Sequence, residues 1–324
     1  MNKTMIASII ACGSILAGGF TSGAALAAYP DRPIEIIVPT PPGGGTDTAI
    51  RRLADEAEKE LGQKVVVVNR PGGGGYLGMM AVVRARPDGY TLGGLWNAPL
   101  TMTPHVQRAP YSPQDYVTIS MADSAPIVLC TKPDFPADDG NEFIQHLQQN
   151  PEKYTYGTDG VGGTIQLAAE RVFMEKGIKA KAVPFGGAGE TLKNFLGNHV
   201  DIYGGSISTI EPYVRDGTAK CLLLTGNTPN PYLPKAMTVA DIGVPDAVTT
   251  LWHGVIAPKD LPQDRLAILE EAFRKAARSE SFTKFMEQRG LNVEASTAKE
   301  FRALIDSEYE AMGKVTSALG LAKQ

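Results

Sequence analysis

Glycine clusters recur in this chain at one kind of place, after a short apolar run and before a helical one, and that pattern constrains the fold more than any other feature. Ile34-Glu35-Ile36-Ile37-Val38 is a run of strand type, Pro41-Pro42-Gly43-Gly44-Gly45 is a turn, and Thr48 to Leu61 places Ile50, Leu53, Ala54, Ala57 and Leu61 on one helical face. Thr46 or Asp47 suits the first turn of that helix and Gly62 its end. The unit then repeats as Val65 to Val68, Gly72 to Gly75, a helix near Leu77 to Arg86, the turn Pro87-Asp88-Gly89 and a strand from Tyr90 to Leu95. The four consecutive valines predict a parallel strand buried on both faces.

The middle of the chain follows the same scheme. A helix is expected near Asn141 to Gln149, then the strand Tyr154-Thr155-Tyr156, the Gly-rich stretch Gly157 to Thr164 and a helix near Gln166 to Glu175. Strands over Ala180 to Phe185, Val200 to Tyr203 and Lys220 to Thr225 alternate with helices over Glu190 to Leu196 and Ile210 to Arg215. The end is helical, over Arg265 to Ser279, Ser281 to Arg289 and Ala298 to Ala318. Such alternation implies an α/β fold of mainly parallel sheets covered by helices on both faces. Ala125 to Thr131 and Leu251 to Ala257 are apolar but lack a Gly-rich turn and helix after them. They read as crossings between two lobes, with residues 28–127 and 252–324 in lobe one and 128–251 in lobe two.

The first residues read as an export signal. Lys3 is a positive start, Met5 to Ala17 is apolar, and Ala25-Leu26-Ala27 supplies small residues for cleavage before Ala28, which predicts a periplasmic protein. Ile9-Ile10-Ala11-Cys12 has the outline of a lipobox, but the run before Cys12 is very short, and the apolar stretch is too short and too broken for a membrane span. Without Lys3, 30 basic residues face 35 acidic ones, and no basic stripe marks a nucleic-acid surface, so no nucleic acid is expected as a partner and a soluble monomer is. Cys130 and Cys221 sit in apolar strand-like runs without metal spacing; they read as buried thiols, with a disulfide as the alternative for an exported chain.

Chemistry is expected at the carboxyl edges of the strands, where open α/β folds place ligands. A glycine turn lets amides face a ligand, and the following helix adds a positive dipole end. The first candidate is Gly43-Gly44-Gly45-Thr46-Asp47, with Asp47 serving mainly the helix start. The second is Thr158 to Thr164, with Gly160, Gly162 and Gly163. Phe185, Gly186, Gly187 and Ala188 follow a later strand, as does Gly204-Gly205-Ser206. Trp96 and Asn97 end the third strand, suited to an aromatic ligand part and its polar end. Two such turns facing one cleft, one from each lobe, would hold a small anion.

Enzyme signatures are incomplete. Gly43 and Gly45 begin a dinucleotide fingerprint, but position 48 is Thr and no acidic residue follows Val65 to Val68. There is no Walker lysine at either loop, and Gly204-Gly205-Ser206-Ile207-Ser208 lacks the last glycine of a nucleophile elbow. His105, His146, His199 and His253 have no metal-ligand spacing, and His146 and His253 read as structural. No catalytic residue, cofactor or metal is expected.

Tyr29-Pro30-Asp31-Arg32-Pro33-Ile34 followed by Val38-Pro39-Thr40-Pro41-Pro42-Gly43-Gly44-Gly45-Thr46-Asp47 resembles the opening of the Bug family, the periplasmic receptors of tripartite tricarboxylate transporters. Gly62-Gln63-Lys64-Val65, Asn69-Arg70-Pro71-Gly72, Pro87-Asp88-Gly89-Tyr90-Thr91-Leu92, Val183-Pro184-Phe185 and Ala257-Pro258 extend the likeness along the mature chain. The resemblance implies a two-lobed flytrap of the type II kind, which captures a dicarboxylate, tricarboxylate or aromatic acid and passes it to large and small membrane subunits. It implies that Gly43 to Asp47 and Thr158 to Thr164 grip the carboxylate through amides and water, with no arginine needed. Three departures stand out: Gly186-Gly187 where the family commonly has Lys, a Gly- and Thr-rich second loop where a Ser-rich one is usual, and Gly226 to Pro231 in place of an Arg-containing segment.

Overall fold

A computed structural model describes residues 29–322; the expected leader, its cleavage point and Cys12 lie outside the described residues. The first third runs β1 (Ile34–Val38), α1 (Gly45–Leu61), β2 (Val65–Asn69), α2 (Tyr76–Val83), β3 (Thr91–Trp96) and the short α3 (Thr103–Val106). A long strand, β4 (Tyr116–Thr131), leads to α4 (Gly140–Gln149), β5 (Thr155–Thr158), α5 (Thr164–Lys176), β6 (Lys181–Pro184), α6 (Ala188–Leu196), β7 (Ile202–Ser206), α7 (Ile207–Arg215), β8 (Lys220–Leu224) and β9 (Met237–Thr238). The chain returns as β10 (Thr250–Pro258) and ends with α8 (Gln263–Arg278), α9 (Glu280–Glu287), β11 (Asn292–Val293) and α10 (Ala298–Ala318).

β4 belongs to two sheets. Its first part pairs with β10 and β11 in a sheet ordered β2-β1-β3-β10-β4-β11. Its last part, Ile127 to Thr131, pairs with β7 on one side and β8 on the other, giving β6-β5-β7-β4-β8-β9. The outer strands run parallel, as alternating β and α units require, and the pairings of β4 and β10 are antiparallel. The mixed α/β architecture follows from that: crossover helices make the parallel edges, and the two returning strands close the middle. Where the sheets meet, Thr225 stitches the passages together. Its hydroxyl donates to Thr249 O and accepts from Ile127 N, and its own amide donates to Ile127 O.

Helices α1, α8 and α9 bury Ile50, Leu53, Leu269, Phe273 and Phe282 on one face of the first sheet, and α2 and α10 bury Met79, Met80, Phe301 and Ile305 on the other. Contact is closest at Gly94, where a Cβ would lie 2.6 Å from Ile50 Cγ2, so α1 can sit on β3 only over a glycine. The second sheet is covered likewise by α4 and α5 (Phe143, Phe173) and by α6 and α7 (Phe195, Ile210).

Two expectations are corrected. β2 is an edge strand rather than one buried on both faces: only Val65 is buried and Val66 is 48% exposed, because β1 is its sole neighbour among the described residues. Cys130 and Cys221 form a disulfide instead of standing as free thiols, since they are direct partners across the antiparallel β4–β8 pair.

Candidate functional site

Four helices open with the same device. A side chain at the third helical position turns back and accepts from the amide of the residue just before the N-cap: Asp47 from Gly43 at 2.8 Å, Glu142 from Asp138 at 2.7 Å, Gln166 from Gly162 at 2.7 Å and Glu190 from Gly186 at 2.7 Å. This is a relative of the capping box, and it satisfies one amide of a cluster that the helix itself leaves unpaired. Asp47 is further held by Asn69 at 2.7 Å and Arg51 at 2.9 Å. Burial opposes its charged form, but the bonds from Arg51, Gly43 and Asn69 outweigh that and keep its carboxyl below the ordinary range. Asp47 therefore shapes the first glycine turn from beneath and does not present an oxygen to a ligand.

The second glycine turn is occupied from within. Asp159 Oδ1 accepts from Ile165 N at 2.9 Å, at the start of α5. Desolvation beneath the loop pushes the Asp159 carboxyl up to about 6, against the amides of Ile165, Gln166 and Thr164 that favour its charge. A Cβ on Gly163 would meet Asp159 Oδ1 at 2.3 Å, so glycine is needed there to admit the chain's own carboxylate. This helix start carries its anion already.

The first turn faces a different partner. Gly43 and Gly45 line a cavity of about 430 Å³ together with Ser206, Ile207 and Ser208, the start of α7. Gly43 has φ +83°, which turns the chain into α1 at little cost only in a residue without a Cβ. Neither N-cap, Gly44 of α1 nor Ser206 of α7, caps its helix through a side chain. Ser206 Oγ instead pairs with Thr209 Oγ1 at 2.7 Å. Two positive helix ends, one from each sheet, thus meet at one hollow. Ala125, Leu251 and His253 also line it, from the β4–β10 pair, with Phe285, Met286, Arg289 and Leu291 from α9 and the turn after it. The Arg289 guanidinium lies 3.6 Å over the Phe285 ring and donates to Phe285 O, and among the described residues it has no carboxylate partner.

Trp96, Gly162 and Gly163 line a second cavity, of about 530 Å³, with Asp159, Gly73 and Gln107. Trp96, which lines the second cavity, and His253, which lines the first, are register partners in the β3–β10 pair. Of the two expected loops, Gly43 and Gly45 line the first cavity and Gly162 and Gly163 the second, and Ser206 to Ser208 share the first with Gly43 and Gly45. Thr46, Thr158 and Thr164 are buried. Phe185 packs against the second sheet's core. Gly160, Gly186 and Gly187 shape turns, Gly44 serves as an N-cap, and Ala188 packs beside Leu251 and Ile165.

His253, expected to be structural, and Arg289, not expected at the site, both line the first cavity. No local pattern marks either; α9 and β10 reach the site only through the fold. The α7 start was partly legible. Gly204 and Gly205 look like a turn, but they are strand residues paired with Leu129 and Val128. Gly204 is glycine because a Cβ would meet Gly157 O and Ile165 Cγ2, both at 2.7 Å.

Asn97 is corrected from ligand contact to internal link. Fully buried, it donates to Thr250 O at 2.9 Å and to Glu308 at 3.4 Å, and it accepts from Thr164 Oγ1 at 3.1 Å. Glu308 also accepts from Trp252 Nε1 at 2.8 Å. Burial pushes the Glu308 carboxyl up to about 7, with the bonds from Trp252 and Asn97 and the charge of Arg171 pulling the other way. A carboxyl that binds its proton more tightly when folded stabilises the fold fully below its unfolded value near 4.5, and that contribution is lost as pH rises to about 7. The loss is on the order of 3 kcal/mol. Urea unfolding of Glu308→Gln compared with the parent at pH 5 and pH 8 checks this: the parent should lose stability over that interval by more than the variant does.

The comparisons agree with this architecture. The family model described as "Tripartite tricarboxylate transporter family receptor" matches residues 49–321. BugT of Bordetella pertussis is 28% identical over 323 residues, 99% of each chain. A TctC solute-binding protein from Polaromonas, solved without ligand, is 26% identical with TM-score 0.80, covering 90% of this chain and 99% of that one. A Rhodopseudomonas palustris protein solved with adipate is 25% identical with TM-score 0.76, covering 91% and 99%. With its two-sheet architecture and a match spanning most of its length, the chain belongs to the tripartite tricarboxylate transporter receptor family, the Bug proteins, and is a solute-binding receptor.

Proposed function

We propose that the chain is exported, cut before Ala28, and captures a small dicarboxylate in the cavity between the starts of α1 and α7, then delivers it to the membrane subunits of a tripartite transporter. The observation that carries the reading is the meeting of two helix starts from two sheets at one 430 Å³ hollow edged by the guanidinium of Arg289, which has no carboxylate partner among the described residues. That volume suits a small organic acid. The similar protein solved with adipate supports a dicarboxylate. Trp96 lines the other cavity, which favours an aliphatic acid over an aromatic one. Lobes at residues 28–127 with 252–324, and at 128–251, would close on the ligand because only the shut form contacts it from both sides.

Isothermal titration of ligand-free protein with C4 to C6 dicarboxylates tests this. One carboxylate of the ligand would take a charge-assisted bond from Arg289, so Arg289→Ala should weaken binding about 10- to 100-fold. Trp96→Ala should change it far less. Failure of every dicarboxylate to bind, or a larger loss in Trp96→Ala than in Arg289→Ala, refutes the reading.

A further inference from the structure

The floor of this cavity holds a buried pair that carboxylate capture alone does not require. His253, on β10, is 3% exposed, and Asp123, opposite it on β4, is fully buried. His253 Nδ1 lies 2.7 Å from Asp123 Oδ1, while Asp123 Oδ2 has no partner among the described residues. Burying an imidazole and a carboxylate costs more than burying two apolar side chains of similar size, so a seam needed only for packing would not keep them. In a neutral imidazole the bond to the Asp123 carboxylate places the proton on Nδ1, and that tautomer leaves the ring's other nitrogen, Nε2, with a lone pair. Because Nδ1 is tied back to β4, the Nε2 edge is the part of the ring left for the cavity that His253 lines.

The hollow then has two unlike ends. Arg289 and the starts of α1 and α7 suit negative charge, whereas the floor offers the edge of the His253 ring, held from behind by the Asp123 carboxylate. An uncharged donor such as a hydroxyl can be met there by Nε2 of the neutral ring. Resting on the carboxylate reading above, we propose that His253, oriented by Asp123, makes this receptor select hydroxy-carboxylates over the same acids without the hydroxyl, through a hydrogen bond from the ligand hydroxyl to Nε2.

The test is a matched pair, malate and succinate, titrated into ligand-free protein at one pH. The parent should bind malate about tenfold more tightly, as expected for one added hydrogen bond. His253→Leu should bring the ratio close to one. His253→Gln, whose Oε1 can accept while its amide donates to Asp123, should restore part of the preference. Equal binding of the two acids by the parent overturns the proposal while leaving the carboxylate reading intact, and so does an undiminished ratio in folded His253→Leu. The parent's ratio depends on no variant folding. If neither these nor other dicarboxylates bind, the carboxylate reading falls and takes this inference with it.

Discussion

Replacing Cys221 by Ser should lower stability toward urea by about 4–5 kcal/mol, the largest loss expected from a single change. The bridge to Cys130 closes a loop with a sequence separation of 91, and chain-entropy arithmetic for a loop of that length gives a cost of this size when the link is cut. The position adds to the argument. Cys130 lies on β4, the strand shared by both sheets, and Cys221 on β8, which has only β9 beyond it. Cutting the bridge leaves the outer edge of the second sheet held to β4 by backbone pairing and packing, without the covalent tie. Adding reductant to the parent should produce the same shift as Cys221→Ser, and neither should alter Cys130→Ser further. A urea midpoint unmoved by reductant would mean that the thiols are free in the native protein.

Phe301→Ala should cost about 3–5 kcal/mol, the range for removing a fully buried aromatic ring. Phe301 stands on the first turn of α10, whose start is fixed by a capping box between Thr297 and Glu300. Its ring meets Trp252 edge-on, with centroids 5.1 Å apart and planes at 87°. It also covers Gly254, where a Cβ would lie 2.4 Å from the ring. Trp252 and Gly254 flank His253 on β10, so the cavity left by Ala would sit directly behind the strand that forms the floor of the site. Phe301→Leu should recover much of the loss. Gly254→Ala should destabilise by the opposite route, overpacking, at about 1–3 kcal/mol. Urea midpoints read all three, and a loss under about 1 kcal/mol for Phe301→Ala would show that α10 does not brace the strand.

Much of the site's chemistry was open to sequence reading, because helix starts announce themselves. Gly43 to Asp47 follows an apolar strand and precedes an amphipathic helix, and amides must gather there whatever surrounds them. The partner of that loop was not open to the same reading. Thr158 to Thr164 carries more glycine than Ser206 to Ser208 and looked the better anion site, but its amides are taken by Asp159, a contact that depends on how the loop folds back over its own acid. Ser206 to Ser208 has no glycine of its own, and the two glycines before it belong to a strand. Asn97 misled for the related reason that an asparagine after a strand end can serve a ligand or, as here, join Thr250, Glu308 and Thr164 inside the protein.

The sequence alone determined the alternation of strands and helices, the two apolar passages without crossover helices and the presence of a glycine turn before α1, because these depend on side-chain period and backbone freedom within a few residues. Tertiary structure alone decided which helix start faces α1, that β2 lies at an edge, that Cys130 meets Cys221, and that His253 and Arg289 reach one cavity. Those outcomes bring together residues up to 246 positions apart, from Gly43 to Arg289. No local preference encodes such a meeting; it is set by how two sheets share one strand and where the returning helices close over it.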